Sequence, residues 1–272
     1  MKLFMIAFLA LSVYSASAQI KTGSIVVVGF LKNKLVIAAD SRGTYKTSRP
    51  KNDDQCKIAA LSNHAVFAST GAIGYGSGGI GDPVSSWANV KEAGNASDAV
   101  GVRTHGKERI EQIADAWVQI VSIDWFITYL FHPEVLDAME DNVLSIGFFA
   151  TAEDGEIFST LRAIVFDGTT FSGEQRQFTT GPFCAFGKVG VYNELMTPAS
   201  DLAKSEAEHW TISPTLTQRL DWGTLRAIRI ADLTAAYEPS GDVGGHIDAV
   251  ELWDNGSIHW VARKCQCPDH ED

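Results

Sequence analysis

The chain has 272 residues, 45% of them hydrophobic and 20% charged, with 33 acidic against 22 basic side chains and a formal net charge of −11. This is long enough for one large α/β core and also compatible with two domains. The acidic balance argues against nucleic acid or an anionic membrane as the main partner.

The chain opens Met1-Lys2, runs apolar from Leu3 to Val13 and then reads Ala16-Ser17-Ala18. A charged start, a short apolar run and a small-residue exit predict a secretory signal peptide, residues 1–18, cut after Ala18. The run is too short for a comfortable membrane span, and no later segment reaches about 18 uninterrupted apolar residues. The expected product is secreted or periplasmic, with no membrane anchor once the signal is removed. Removing 18 of the 272 residues leaves 254, with no Pro- or Ser-rich linker, charge run or repeat to divide them. A single domain is therefore predicted.

Ser24–Phe30 and Leu35–Ala39 are β-branched, nearly continuous apolar runs on either side of Leu31-Lys32-Asn33-Lys34. They predict a hairpin whose strands are covered on both faces. Lys57–Leu61 and Ala65–Ser69 form a second pair around Ser62-Asn63-His64. After the glycine-rich stretch from Gly74 to Gly81, Asp82-Pro83 offers an N-cap and a first helical turn. From Lys107 to Leu130, apolar residues at 110, 113, 114, 117, 120 and 121 have helical spacing. Glu134–Met139 reads as a further turn. Strands are predicted at Val143–Ala150, Ile157–Phe166 and near Phe183–Phe186, with hairpin turns at Asp154-Gly155 and Asp167-Gly168. A helix over Thr224–Tyr237 precedes a last strand pair, Ile247–Trp253 and Ile258–Ala262, around Asp254-Asn255-Gly256. This order suggests antiparallel sheets with helices on their outer faces.

The cysteines are Cys56, Cys184, Cys265 and Cys267. Export makes disulfides feasible, and three connectivities stay open. Neither this spacing nor the scattered histidines suits a metal site, so no metal or other cofactor is expected. Asn95-Ala96-Ser97 and Asn255-Gly256-Ser257 fit the N-glycosylation pattern, which has meaning only in a eukaryotic source. Gly74-x-Gly76-x-x-Gly79 matches a dinucleotide fingerprint, but the strand-to-helix context that fingerprint needs is missing.

The chemistry is expected at Ser24, Asp40, Lys57 and Gly71. A hairpin returns Asp40 beside Ser24, 16 residues earlier; Lys57 opens the third strand, and Gly71 ends the fourth. All four are predicted to cluster at one end of a sheet. In order and spacing, Gly23-Ser24, Ala38-Ala39-Asp40-Ser41-Arg42-Gly43-Thr44, Lys57-Ile58 and Ser69-Thr70-Gly71 resemble the N-terminal-nucleophile hydrolases, and within them the proteasome β-type subunits. The resemblance is strong over about residues 23 to 75 and topological beyond.

The resemblance implies an α+β fold, a four-layer α-β-β-α sandwich of two antiparallel sheets. It implies a short propeptide over residues 19–23, a proteasome-like domain over 24–264 and a tail over 265–272. It also implies autocatalytic cleavage of Gly23–Ser24, after which Ser24 is the nucleophile and its own α-amine the base. Lys57 would favour the deprotonated hydroxyl, Asp40 would orient Lys57, and the Gly71 N–H would face the oxyanion. Thr44 matches the residue that pairs with substrate backbone. Three departures stand out: the nucleophile is Ser where the family usually has Thr, signal removal leaves Gln19 rather than Ser24 at the N-terminus so that a second cut at Gly23–Ser24 is needed, and the Asp-x-x-Ser-Gly-Gly segment is replaced by Tyr237 to Gly245. Ser240 and Asp242 are the candidate accessory residues there, with Val243 in register with the family serine. Lys188 stands where a Gly-Ser-Gly turn has Ser.

The expectation is an enzyme, a threonine-type peptidase using serine on peptide or amide substrates. The alternatives are a non-catalytic relative serving assembly or binding, and an amidase of non-peptide amides. A homo-oligomer or lone subunit is expected rather than a full proteasome.

Overall fold

The computed structural model describes residues 19–22, 24–45, 53, 55–62, 64–76, 83–137, 139, 142–177, 181–209 and 221–263. The expected signal peptide, Gly23, Asp82, Cys265 and Cys267 lie outside them. The elements run β1 (Gln19–Thr22), β2 (Ile25–Phe30), β3 (Lys34–Asp40), β4 (Thr44–Tyr45), β5 (Ile58–Leu61), β6 (Ala65–Gly71), β7 (Gly74–Gly76) and β8 (Trp87–Ala88). Three helices follow, α1 (Asn89–Val100), α2 (Gly106–Phe131) and α3 (Glu134–Asp137), then β9 (Val143–Glu153), β10 (Glu156–Phe166), β11 (Phe171–Arg176) and β12 (Phe183–Gly187). The chain continues through α4 (Gly190–Met196), α5 (Asp201–His209) and α6 (Trp222–Tyr237) into β13 (Ile247–Trp253) and β14 (Ile258–Ala262).

Two five-stranded antiparallel sheets result, with strand orders β12-β2-β3-β13-β14 and β11-β10-β9-β6-β5. A small third sheet has the order β4-β1-β7-β8. The alternation of strand side chains decides the packing. Val26, Val28, Leu35, Ile37 and Ala39 meet Val66, Ala68, Phe148 and Ala150 of the other sheet. Ile25, Val27, Val36 and Ala38, on the opposite pleat, pack with Ala227, Ile230 and Ala231 of α6. Ala65, Phe67 and Phe149 pack with Ile110, Ile113, Trp117 and Val121 of α2. The continuous apolar runs of β2 and β3 are thus covered on both faces. Each fully buried Val, Leu or Ile side chain contributes roughly 1.5–3 kcal/mol of transfer free energy.

Several local expectations shift. The first helix starts at Asn89 rather than near Pro83, because Tyr75↔Trp87 and Gly74↔Ala88 pair as strands first. The Asn89 amide donates to Ala72 O at 2.9 Å, which fixes the helix start. Beyond Phe171, which packs on the core, strand β11 carries no apolar side chain and is exposed; it is a strand because β10 offers it an edge. The turns at Asp154-Gly155 form as the sequence predicts, with φ 52° and 82°. Cys56 is disulfide-bonded, with a partner outside the described residues. Cys184 is a buried free thiol, which burial pushes up to about 12.

At the start of β3, buried Lys34 pairs with Asp221 and with Glu251, the latter at 2.5 Å. Asp40 ends the same strand, roughly 20 Å away at strand rise.

Candidate active site around Ser24 and Asp40

Asp40 is the hub. Its Oδ1 accepts the Ile25 backbone N–H at 2.9 Å and the Lys57 ammonium at 2.8 Å. Its Oδ2 accepts the backbone N–H groups of Gly244 at 3.0 Å and Arg42 at 3.2 Å. Asp40 is 0% exposed and Lys57 1%. Both charges are out of water, and the pair survives burial because every carboxylate oxygen is bonded.

The hairpin of β2 and β3 brings Asp40 to Ser24 through the pairing Val26↔Ala39. Lys57 arrives from elsewhere. It directly precedes β5, and its carbonyl accepts the Ser69 N–H at 2.9 Å. Ser24 and Asp40 thus belong to one sheet and Lys57 and Gly71 to the facing sheet. The sequence predicts all four at one end of a sheet. The structure corrects this: β3 and β5 lie in different sheets, and the cluster bridges the gap between them.

The Ser24 hydroxyl is buried and donates to Thr70 Oγ1 at 2.6 Å. The Thr70 hydroxyl in turn lies 3.3 Å from the Ser24 carbonyl. Thr70 belongs to the Ser69-Thr70-Gly71 turn, from which the sequence predicts a role only for Gly71. A polar residue ending an otherwise apolar strand, next to a glycine, was the available signal. The Ser24 carbonyl also accepts the Lys188 N–H at 2.9 Å, so Lys188 joins the site through its backbone. Gly187 has φ 97°, and a Cβ there would overlap Ser24 O and Thr70 Oγ1. Gly71 has φ 82°, and a Cβ there would lie 2.7 Å from Leu144 O. Its glycine identity is thus required by β9, whatever its N–H does.

The remaining candidates divide. Thr44 lies in β4, where its backbone pairs with Thr22 of β1. Ser240 and Asp242 bond to each other in an exposed turn, Asp242 N to Ser240 Oγ at 3.2 Å. From this loop it is the Gly244 backbone that reaches Asp40. Val243, in register with the family serine, is fully buried in the apolar contact with α6. Arg42 pairs not with Asp40 but with Asp53, at 2.6 Å and 3.0 Å in a two-pronged contact. That bonded carboxylate holds the guanidinium above its ordinary value. Asp53 O also accepts the Ser41 hydroxyl at 2.7 Å, so Asp53 is fastened to both residues that follow Asp40.

Among the described residues no three His, Cys, Asp or Glu side chains are grouped to hold a metal ion. The arrangement can orient a serine hydroxyl beside a buried acid–ammonium pair. The segment before that serine, β1, lies extended between β4 and β7. It pairs with both, Thr22 opposite Thr44 and Ile20 opposite Tyr75.

No family model matches the chain, and no curated protein does. Among solved structures, it is similar to a Gly-1 mutant of Anbu from Hyphomicrobium sp. strain MC1. The TM-score is 0.49 and the identity 16%, over 92% of this chain and 89% of that one.

Proposed function

We propose that the chain is an exported N-terminal-nucleophile hydrolase of the α-β-β-α type, which cleaves its own Gly23–Ser24 bond and then hydrolyses peptide bonds with Ser24. The observation that carries this reading is the convergence on Asp40 of the backbone N–H next to Ser24 and the ammonium of Lys57. Two charged groups held in a dry site next to a buried serine are costly for mere stability. They suit a site that must develop and neutralise charge.

In the first turnover the Ser24 hydroxyl oxygen attacks the Gly23 carbonyl carbon. The C–N bond breaks, the hydroxyl proton passes to the leaving nitrogen, and an ester joins Gly23 to Ser24 Oγ. Water then hydrolyses the ester to a Gly23 carboxylate and a free hydroxyl. The released α-amine, with an ordinary pKa near 8, serves as base in later turnovers. Lys57 lowers the energy of the alkoxide, and Asp40 keeps Lys57 oriented and charged.

A peptide rather than a small amide is favoured by β1. An extended segment immediately before the nucleophile is held antiparallel on both edges by backbone pairing. Cleavage would free this groove for another extended chain, which it would hold by strand addition.

N-terminal sequencing and intact mass of the exported protein test the reading. The expected mature start is Ser24, absent in Ser24→Ala together with peptide hydrolysis. A homogeneous Gln19 start with the Gly23–Ser24 bond intact would overturn it and promote a non-catalytic role in assembly or binding.

A further inference from the structure

We propose that the outer face of α2 is the surface through which two copies of this chain pair. The inference is independent of the hydrolase reading. Between Ala116 and Phe131 the single charged residue is Asp124. On the inner side of this stretch Val121, Trp125 and Thr128 are fully buried. On the outer side Ile123, Phe126, Ile127, Leu130 and Phe131 are between 37% and 62% exposed. A helix that is apolar all round is a buried helix, so the outer half lacks its cover in the isolated chain.

The spacing i, i+3, i+4, i+7, i+8 makes one straight stripe, roughly 12 Å long at helical rise. Five half-exposed side chains of this size present on the order of 500 Å². That is more than half of the roughly 800 Å² that each partner buries in a standard interface. An uncharged stripe is complementary to itself under a two-fold axis. With the axis near Ile127, Ile123 of one copy faces Phe131 of the other.

Charge selects the occupant. A lipid surface would want lysine or arginine beside the apolar face. The sequence has neither from Ile110 to Leu161. Each copy carries a formal net charge of −11, so two copies repel at long range. The contact itself is neutral, and salt screens the rest. Pairing should therefore tighten as salt rises.

Sedimentation velocity on the exported protein over about 1 to 100 µM tests this. The expected result is a dimer, weakened about tenfold or more in Phe126→Lys/Leu130→Glu. As an independent measurement, Ile127→Cys should cross-link to its own copy under mild oxidation, while the exposed control Val102→Cys should not. A monomer across the whole range, a dimer of unchanged affinity in the double variant, or a monomer that pellets with anionic vesicles would each overturn the proposal. Should the double variant fail to fold, the Ile127→Cys cross-link decides.

Discussion

Lys57 and Asp40 are 2.8 Å apart although they enter from facing sheets, and neither touches solvent. Around this pair the partners are unequal. Asp40 also accepts three backbone N–H groups, from Ile25, Arg42 and Gly244. Asp40→Ala would take the carboxylate away from a buried ammonium and from three backbone donors at once. Lys57→Met would leave a carboxylate that still has three bonds. The expected loss of stability is therefore larger for Asp40→Ala, about 4–5 kcal/mol, than for Lys57→Met, about 2–3 kcal/mol. Both should abolish conversion to the Ser24 start. Urea denaturation measures the first difference, and intact mass the second. Equal losses would mean that the backbone donors contribute little.

Thr70→Val keeps the shape of the side chain and removes the oxygen that receives the Ser24 hydroxyl. Stability should fall by about 1 kcal/mol. Processing should slow by roughly tenfold, because the hydroxyl loses its orientation. A time course of precursor loss by mass spectrometry reads the rate. Faster processing in Thr70→Val would mean that the bond restrains the serine instead of aiming it.

Gly187 and Gly155 both have positive φ, 97° and 82°. Their surroundings differ. A Cβ at 187 runs into the Ser24 carbonyl and Thr70 Oγ1, whereas a Cβ at 155 meets nothing. Gly155→Ala should cost about 1 kcal/mol from backbone strain alone. Gly187→Ala should cost about 3 kcal/mol or more, since it must displace backbone. It should also block processing. Thermal unfolding of the two variants side by side separates strain from overlap.

Burial pushes the Asp124 carboxyl up to about 6, with Glu92 of α1 adding to the rise and Lys91 opposing it. Its Oδ2 is buried without a hydrogen-bond partner. A carboxyl whose folded value is raised stabilises fully below its unfolded value, near pH 4, and loses that contribution as pH rises through about 6. The side chain is only half-buried, so screening reduces the effect to about 1 kcal/mol. Asp124→Asn should therefore be more stable than the parent at pH 7 by that amount, and the gap should close toward pH 4. Urea midpoints of the two proteins at matched pH test the sign. A gap that widens on acidification would refute it.

How much of this was legible in the sequence depended on range. The continuous apolar runs of β2, β3 and β6, the helical stripe of α2 and the Asp154-Gly155 turn are signals carried by neighbouring residues. They determined the elements and the buried faces almost unaided, because side-chain direction follows from strand and helix periods. The order Ser24, Asp40, Lys57, Gly71 was legible in the same way, as a set of strand ends. Which sheet each strand joined was not. The Asp40–Lys57 pair itself is expected from the strand ends and stands at 2.8 Å, but its crossing between two sheets, the Ser24–Thr70 bond and the backbone of Gly244 reaching Asp40 over 204 residues were decided by tertiary packing. No local period encodes them. β11 is the same case in miniature: its residues ask for solvent, and only the free edge of β10 makes them a strand. At Val243 the sequence had offered a register for a polar accessory group. Apolar burial against α6 claimed the side chain instead, and a main-chain N–H supplied the contact, because a buried carboxylate needs donors whatever residue type brings them.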